Sequence, residues 1–258
     1  MSEVFSGVGV ALVTVFDARG EVDLAATSGL ASDLVARGMN AVIVSGTTGE
    51  AATLAPGERV ALVEAVRAAL PPGVPVIAGT GAPAPQTAAE LTKAAVSAGA
   101  SAVLTWPPPG STEHARYYET VGEAAGGCPV LAYHFPAVSS PGIPVPALAT
   151  LPVAGVKDSS GSADRLLDEL AHYRGPTYVG SSALLALAGP MGAAGAILAL
   201  ANIEPERCCR AFAGDAMAQR ELAGRHLEVS RGGPAALKRL LAADRGTSPV
   251  ARVSAGRT

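Results

Sequence analysis

Short runs of apolar residues recur along the chain at 9–15, 40–45, 74–79, 101–105, 129–134, 153–157, 176–180 and 195–200. Each has the length of a strand, roughly five to seven residues, and is rich in Val and Ile. The runs do not alternate apolar with polar positions. That is the pattern of parallel strands covered on both faces. Longer Ala-rich segments separate them, with helical apolar spacing at 24–37, 56–70, 86–98, 112–125 and 163–173. In 56–70, Val60, Leu62, Val63, Val66 and Leu70 fall mostly on one stripe. Pro56 suits a first helical turn, where its missing N–H costs nothing. Gly38 and Gly99 stand where two of these helices must stop. The link 143–151 is short and holds Pro144 and Pro146, so any helix there is stunted.

Eight strands alternating with helices in about 200 residues predict an α/β chain of the (β/α)8 TIM barrel plan. A doubly wound open sheet is the runner-up, since the same alternation permits it, and eight units favour closure. Residues 204–258 read as a C-terminal helical appendix, with helices over 205–231 and 234–244 and a tail from Gly246 that has no apolar period and is expected to be loose. No linker or low-complexity stretch separates the barrel, 1–203, from this appendix, so both are expected in one domain. The segment 175–203 carries no charge and is long enough to cross a bilayer. Gly189-Pro190-Met191-Gly192 and Gly195 interrupt it, and it reads as a short buried helix, a turn and a buried strand.

Composition narrows the function. Of 258 residues, 49% are apolar and 16% charged, against roughly 25% charged in an average soluble protein. Disorder is excluded, and a chain this long buries a core without disulfides or structural metal. A net charge of −3 offers no basic footprint for nucleic acid, so a small-molecule partner is expected, with no membrane partner. Cys128, Cys208 and Cys209 form neither a disulfide framework nor a zinc pattern. Cys208 and Cys209 are expected to pack on a helix face. The first residues lack a basic segment followed by an apolar one, so a cytoplasmic protein is expected.

In a barrel of this kind the active site lies at the C-terminal ends of the strands. The second predicted strand ends in Ser45-Gly46-Thr47-Thr48-Gly49-Glu50. Such a turn can aim backbone N–H groups and hydroxyls at a carboxylate or phosphate, or be a plain glycine-rich turn. The fifth ends in Tyr133-His134-Phe135-Pro136. A tyrosine there can relay protons or simply fill the barrel mouth. His134 points the opposite way if the strand alternates, and reads as a structural histidine. The sixth ends in Lys157-Asp158-Ser159-Ser160. The chain has three lysines. Lys93 and Lys238 sit on helices as surface cations do, whereas Lys157 ends an apolar run. A desolvated amine attacks carbonyls to give a Schiff base; the alternative is a Lys157–Asp158 pair in a loop. An anion cradle, a phenol and a buried amine on one face make a site for a 2-oxo acid.

The run Gly46-Thr47-Thr48-Gly49-Glu50 with Glu58, the pair Tyr133-His134-Phe135-Pro136 and Gly155-Val156-Lys157-Asp158-Ser159, and Val76-Ile77-Ala78-Gly79-Thr80-Gly81 resemble the motifs of the dihydrodipicolinate synthase / N-acetylneuraminate lyase family. The resemblance runs from about Phe5 to Arg252. It implies a class I, pyruvate-dependent aldolase without metal or cofactor, assembled as a homotetramer or dimer. Lys157 forms the imine, and Tyr133 is the general acid/base. Thr48 and the Thr47 N–H hold the carboxylate, and the Thr47 hydroxyl joins the proton relay. Gly46 and Ile197 also contact substrate.

The chain departs from the family in four places: the link between Tyr133 and Lys157 is several residues shorter than usual, the C-terminal helices are trimmed, and two side chains are missing. No cation follows the Tyr-x-x-Pro run, where Ala137-Val138-Ser139-Ser140 stands in place of an arginine that clamps the carboxylate of aspartate semialdehyde. The relay tyrosine after the fourth strand is missing from Thr105-Trp106-Pro107-Pro108-Pro109-Gly110, and Tyr117 and Tyr118 lie too far along to replace it. The first reading is therefore an aldolase joining pyruvate to the aldehyde of a 2-keto-3-deoxy sugar acid or hydroxy-2-oxo acid, or a dehydratase on the same imine. The second is 4-hydroxy-tetrahydrodipicolinate (dihydrodipicolinate) synthase, with Arg116 as the nearest unassigned cation. The third is a 2-oxo acid sensor without turnover.

Overall fold

The computed structural model describes residues 3–253. Eight parallel strands close into a barrel in sequence order, β1 pairing with both β2 and β8. They are β1 (Gly7–Ala11), β2 (Ala41–Val44), β3 (Val76–Gly79), β4 (Ala102–Thr105), β5 (Val130–His134), β6 (Gly155–Asp158), β7 (Thr177–Val179) and β8 (Gly195–Leu198). The helices are α1 (Leu24–Ala36), α2 (Pro56–Ala69), α3 (Pro85–Ser97), α4 (His114–Ala125), α5 (Val145–Leu148), α6 (Ala163–His172), α7 (Leu185–Ala188), α8 (Pro205–Phe212) and α9 (Ala216–Arg245). The closed barrel, not the open sheet, is the fold, and six strands fall inside their predicted runs; β1 begins two residues before the run 9–15, and β6 ends one residue beyond 153–157.

Two apolar layers explain why the runs do not alternate. Val8, Val10, Val42, Val44, Val103 and Val156 point out under the helices. Ile43, Ile77, Leu104, Leu131, Tyr133 and Ile197 point in and fill the barrel. The period of two persists, with both phases apolar because both faces are dry. Phe5 plugs the lower end. Its ring stacks on Tyr178 with centroids 4.7 Å apart, and the Tyr178 hydroxyl donates to the Phe5 carbonyl at 3.0 Å. A barrel floored in this way can admit a ligand only from the opposite end.

Local chemistry sets the helix ends. Asp23 caps α1 by accepting from Ala26 N at 2.8 Å, and Pro56 opens α2. Gly38 and Gly99 stop helices with φ of +98° and +95°, a conformation glycine adopts without cost. The charge-free segment resolves into β7, α7 and β8, and among the described residues no helix is long and apolar enough to cross a membrane.

The C-terminal part differs from expectation in two ways. The helix predicted over 205–231 is broken between α8 and α9. Gly214 has φ +100° there, and Asp215 starts α9 by accepting from Met217 N at 2.9 Å and Ala218 N at 3.0 Å. Beyond Gly246 the chain is irregular but pinned. Arg252 forms a double hydrogen bond to the Glu58 carboxylate at 2.9 and 2.7 Å, which holds that carboxyl below its usual range. It also donates to Gly20 O at 2.7 Å. The segment 246–253 is thus tied to the barrel and is not the loose tail expected.

Candidate active site

Tyr133 and Lys157 are register partners on β5 and β6, so alternation turns both into the barrel. The Lys157 Nζ lies 4.3 Å from the centroid of the Tyr133 ring. Both residues are buried, at 6% and 5% exposure. Phe135 stacks on Tyr133 with centroids 5.7 Å apart. The next residues in each strand, His134 and Asp158, are also partners and face outward. The Asp158 carboxylate accepts from Ser160 N at 2.8 Å and Ser160 Oγ at 3.0 Å, and Arg165 Nε stands 3.7 Å away. Asp158 is therefore spent on the loop, and the Lys157–Asp158 pair does not form. Among the described residues no carboxylate lies within 4.0 Å of Lys157.

His134 is structural. Its Nδ1 accepts from Ile143 N at 2.9 Å, which leaves the proton on Nε2, 4.0 Å from Asp158. Burial, with Arg165 and His114 nearby, pushes its pKa down to about 4. Further out, Glu169 is fully buried beside Arg165, whose Nη2 is 2.9 Å from Oε1. Burial, then the Asp158 charge, push Glu169 up to about 8. This network packs against the outer face of β6, on the side away from the amine.

The glycine-rich turn after β2 supplies the opposite wall. Ser45 and Glu50 bracket it, both left-handed, with φ of +53° and +57°. Glu50 N donates to Thr47 O at 3.1 Å and Ala51 N to Gly46 O at 3.2 Å. The N–H groups and hydroxyls of Thr47 and Thr48 make no hydrogen bond among the described residues, so they are available to a ligand anion. Gly79 on β3 lets the turn approach, since a Cβ there would collide with the Ser45 carbonyl.

Non-glycine residues in left-handed backbone cost about 1–3 kcal/mol each, and the turn is held by a buried latch. Glu50 is fully buried, and its carboxylate pairs with Lys238 Nζ from α9. It also accepts from Val253 N at 2.7 Å. Lys238 donates to Val250 O at 3.0 Å and sits 3.9 Å from the Phe16 ring centroid. Burial lowers the Lys238 pKa, opposed by Glu50. The expectation of a surface cation at Lys238 is wrong, because its position shares the helix stripe of Leu237 and Leu241, which are also buried. Lys93 is exposed as expected.

Lys157, Tyr133, Thr47, Thr48 and Ile197 line one cavity of about 410 Å³ at the C-terminal end of the barrel. Gly46 does not reach it. It lines a neighbouring cavity of about 640 Å³ that shares Thr47 and Tyr133. Arg116 is exposed on α4, away from both. Tyr117 and Tyr118 are core, their hydroxyls bonded to Thr105 Oγ1 at 2.7 Å and Thr105 O at 3.1 Å. Cys208 is buried on α8, and burial raises its thiol pKa. No three His, Cys, Asp or Glu side chains cluster as metal ligands among the described residues. The sequence reading missed Ser159, Ser181, Ser182, His226 and Ser230, which complete the cavity wall. A weak signal existed for Ser159, Ser181 and Ser182, which follow the sixth and seventh strands.

Comparison with known proteins identifies the family. Residues 4–229 match the dihydrodipicolinate synthetase family. The 4-hydroxy-tetrahydrodipicolinate synthase of Synechococcus sp. strain WH7803 is 43% identical over 130 residues, 49% of this chain and 43% of that protein. The synthase of that name from Salinibacter ruber is 35% identical over 220 residues, 81% of this chain and 72% of the relative. The crystal structure of a chloride-inhibited dihydrodipicolinate synthase from Acinetobacter baumannii, complexed with pyruvate, superposes with a TM-score of 0.85 at 26% identity, covering 96% of this chain and 94% of that one. The barrel, the motifs and these matches agree that the chain belongs to the dihydrodipicolinate synthetase family of carbon–carbon lyases and synthases.

Proposed function

We propose that the protein is a class I aldolase that makes or breaks a C–C bond between pyruvate and an aldehyde through an imine on Lys157. The observation that carries this reading is a buried amine without a counter-carboxylate, beside a phenol and opposite a free pair of N–H groups and hydroxyls, in one cavity. Thr48 and the Thr47 N–H receive the pyruvate carboxylate. Lys157 attacks the ketone carbon, the carbonyl oxygen leaves as water, and an imine remains. The iminium accepts the electron pair when a methyl proton is removed, which gives an enamine. The enamine carbon attacks the aldehyde carbon, and the new alkoxide takes a proton. Water then hydrolyses the imine, freeing the 4-hydroxy-2-oxo acid and the amine. Tyr133 moves protons over the imine, with the Thr47 hydroxyl in its relay. No step calls for a metal or cofactor.

The second reading, 4-hydroxy-tetrahydrodipicolinate synthase, draws support from the names of the relatives. Against it stands the cavity lining, in which Lys157 is the only Lys or Arg side chain among the described residues. A second carboxylate therefore lacks the clamp that such a diacid needs.

Borohydride reduction in the presence of pyruvate, read by intact-protein and peptide mass spectrometry, tests the first reading. One reduced pyruvate adduct on the Lys157 peptide is expected. A folded sample in excess pyruvate that gives no adduct leaves the sensor reading in its place. Tyr133→Phe is expected to lower kcat by on the order of 10²-fold while the KM for pyruvate changes little, because the phenol acts in the transition state. Equal turnover in the variant removes Tyr133 from the relay.

A further inference from the structure

The aldehyde needs its own wall, and α9 lies where that wall must be. His226, Val229, Ser230, Gly233, Pro234 and Leu237 all line the cavity that holds Lys157. Their spacing of three and four residues marks one face of the helix. The helix bends over the barrel mouth at Gly233, whose φ of +56° and ψ of −153° are not helical.

On this face His226 is the only titratable side chain, and it is held in place. Its Nδ1 is 2.8 Å from Ser182 Oγ on the loop after β7. Two turns earlier, Gln219 ties the same loop to the helix. Its Nε2 donates to Ser182 O at 2.9 Å, and its Oε1 accepts from Ala186 N at 3.0 Å. Burial lowers the His226 pKa below its ordinary value, so the ring is neutral at pH 7. The Ser182 contact orients the ring through Nδ1, and Nε2 makes no hydrogen bond among the described residues. The other polar side chains of this wall are the hydroxyls of Ser159, Ser181 and Ser230. No Asp, Glu or Arg lines the cavity among the described residues.

A wall of neutral donors and acceptors matches hydroxyl groups and gives a second charge no partner. We propose that His226, fixed by Ser182, is the specificity-determining residue of the aldehyde subsite and hydrogen-bonds through Nε2 to a hydroxyl of an uncharged hydroxyaldehyde. This rests on the imine reading above and adds to it the residue that selects the second substrate.

The test uses the full chain with pyruvate and two three-carbon aldehydes, glyceraldehyde and propionaldehyde, which differ in their hydroxyls. The unaltered protein is expected to favour glyceraldehyde in kcat/KM. His226→Ala is expected to reduce that preference about tenfold, the cost of one lost hydrogen bond, mainly through the KM for glyceraldehyde. His226→Gln is expected to recover part of it, since its amide can donate. An unchanged preference in His226→Ala overturns the proposal. Should that variant not fold, the unaltered protein still decides, because better use of propionaldehyde or of the charged succinate semialdehyde also overturns it. Borohydride trapping with pyruvate alone separates the two levels. An adduct on Lys157 without the aldehyde preference defeats this subsite alone, and no adduct defeats the imine reading beneath it.

Discussion

Lys157→Ala will give no reducible pyruvate adduct and will lower kcat/KM for aldol formation by on the order of 10⁴-fold or more, the scale of losing a covalent nucleophile. The fold should survive. No carboxylate depends on this amine for its counter-charge among the described residues, so its removal leaves no buried ion unpaired. Lys157→Arg is expected to fail as completely, because a guanidinium stays protonated and cannot add to a ketone. Circular dichroism and a melting curve like those of the unaltered protein, together with lost turnover, are the expected outcome. An adduct that persists in Lys157→Ala assigns the imine to another amine.

The second large effect lies outside the chemistry. Lys238→Met removes the partner of a fully buried carboxylate, Glu50. Breaking a buried pair from one side costs about 3–5 kcal/mol, since it strands the other charge. Urea denaturation should show a loss of that size in Lys238→Met. Adding Glu50→Gln should return part of it, because a neutral amide still offers Val253 an acceptor oxygen and no longer needs a cation. A single variant within about 1 kcal/mol of the parent protein is incompatible with a stabilising latch. Activity should fall in Lys238→Met even where it remains folded, because Glu50 closes the turn that presents Thr47 and Thr48.

Local pattern carried most of this architecture. Buried strands such as 41–44 and 76–79 are fully apolar in the sequence, and proline and glycine punctuate the helices between them. The inward aim of Lys157 and Tyr133 also follows from alternation, once the strands are in place. What the sequence hid depends on long-range placement. His226 lies 44 positions from Ser182, and nothing near it marks it as a cavity residue. Lys238 was legible in part, at helical spacing among Leu237 and Leu241, but its partner Glu50 is far away in sequence. The tail from Gly246 shows no period because single contacts hold it, Arg252 to Glu58 and Val253 to Glu50, and such contacts leave no repeat to read. The break before Asp215 carried an ordinary helix-cap signal in Gly214-Asp215 that the continuous polar and apolar pattern on either side concealed.

The latch on Glu50 has a consequence for the order in which the molecule is made. All eight strands have left the ribosome by Leu198, yet Lys238 and Val253 follow by 40 and 55 residues. For the first 40 of those residues the growing chain holds Glu50 with neither its cation nor its N–H donor, and for the next 15 without the donor. Burying a lone carboxylate is too costly to be sustained, so the turn after β2 stays open to water while the barrel around it is already able to pair. Domains form from the N-terminus as they are synthesised, but here the glycine-rich turn proposed to hold the substrate carboxylate closes last, when α9 and the segment behind it dock. The protein therefore acquires its shape before it acquires its site.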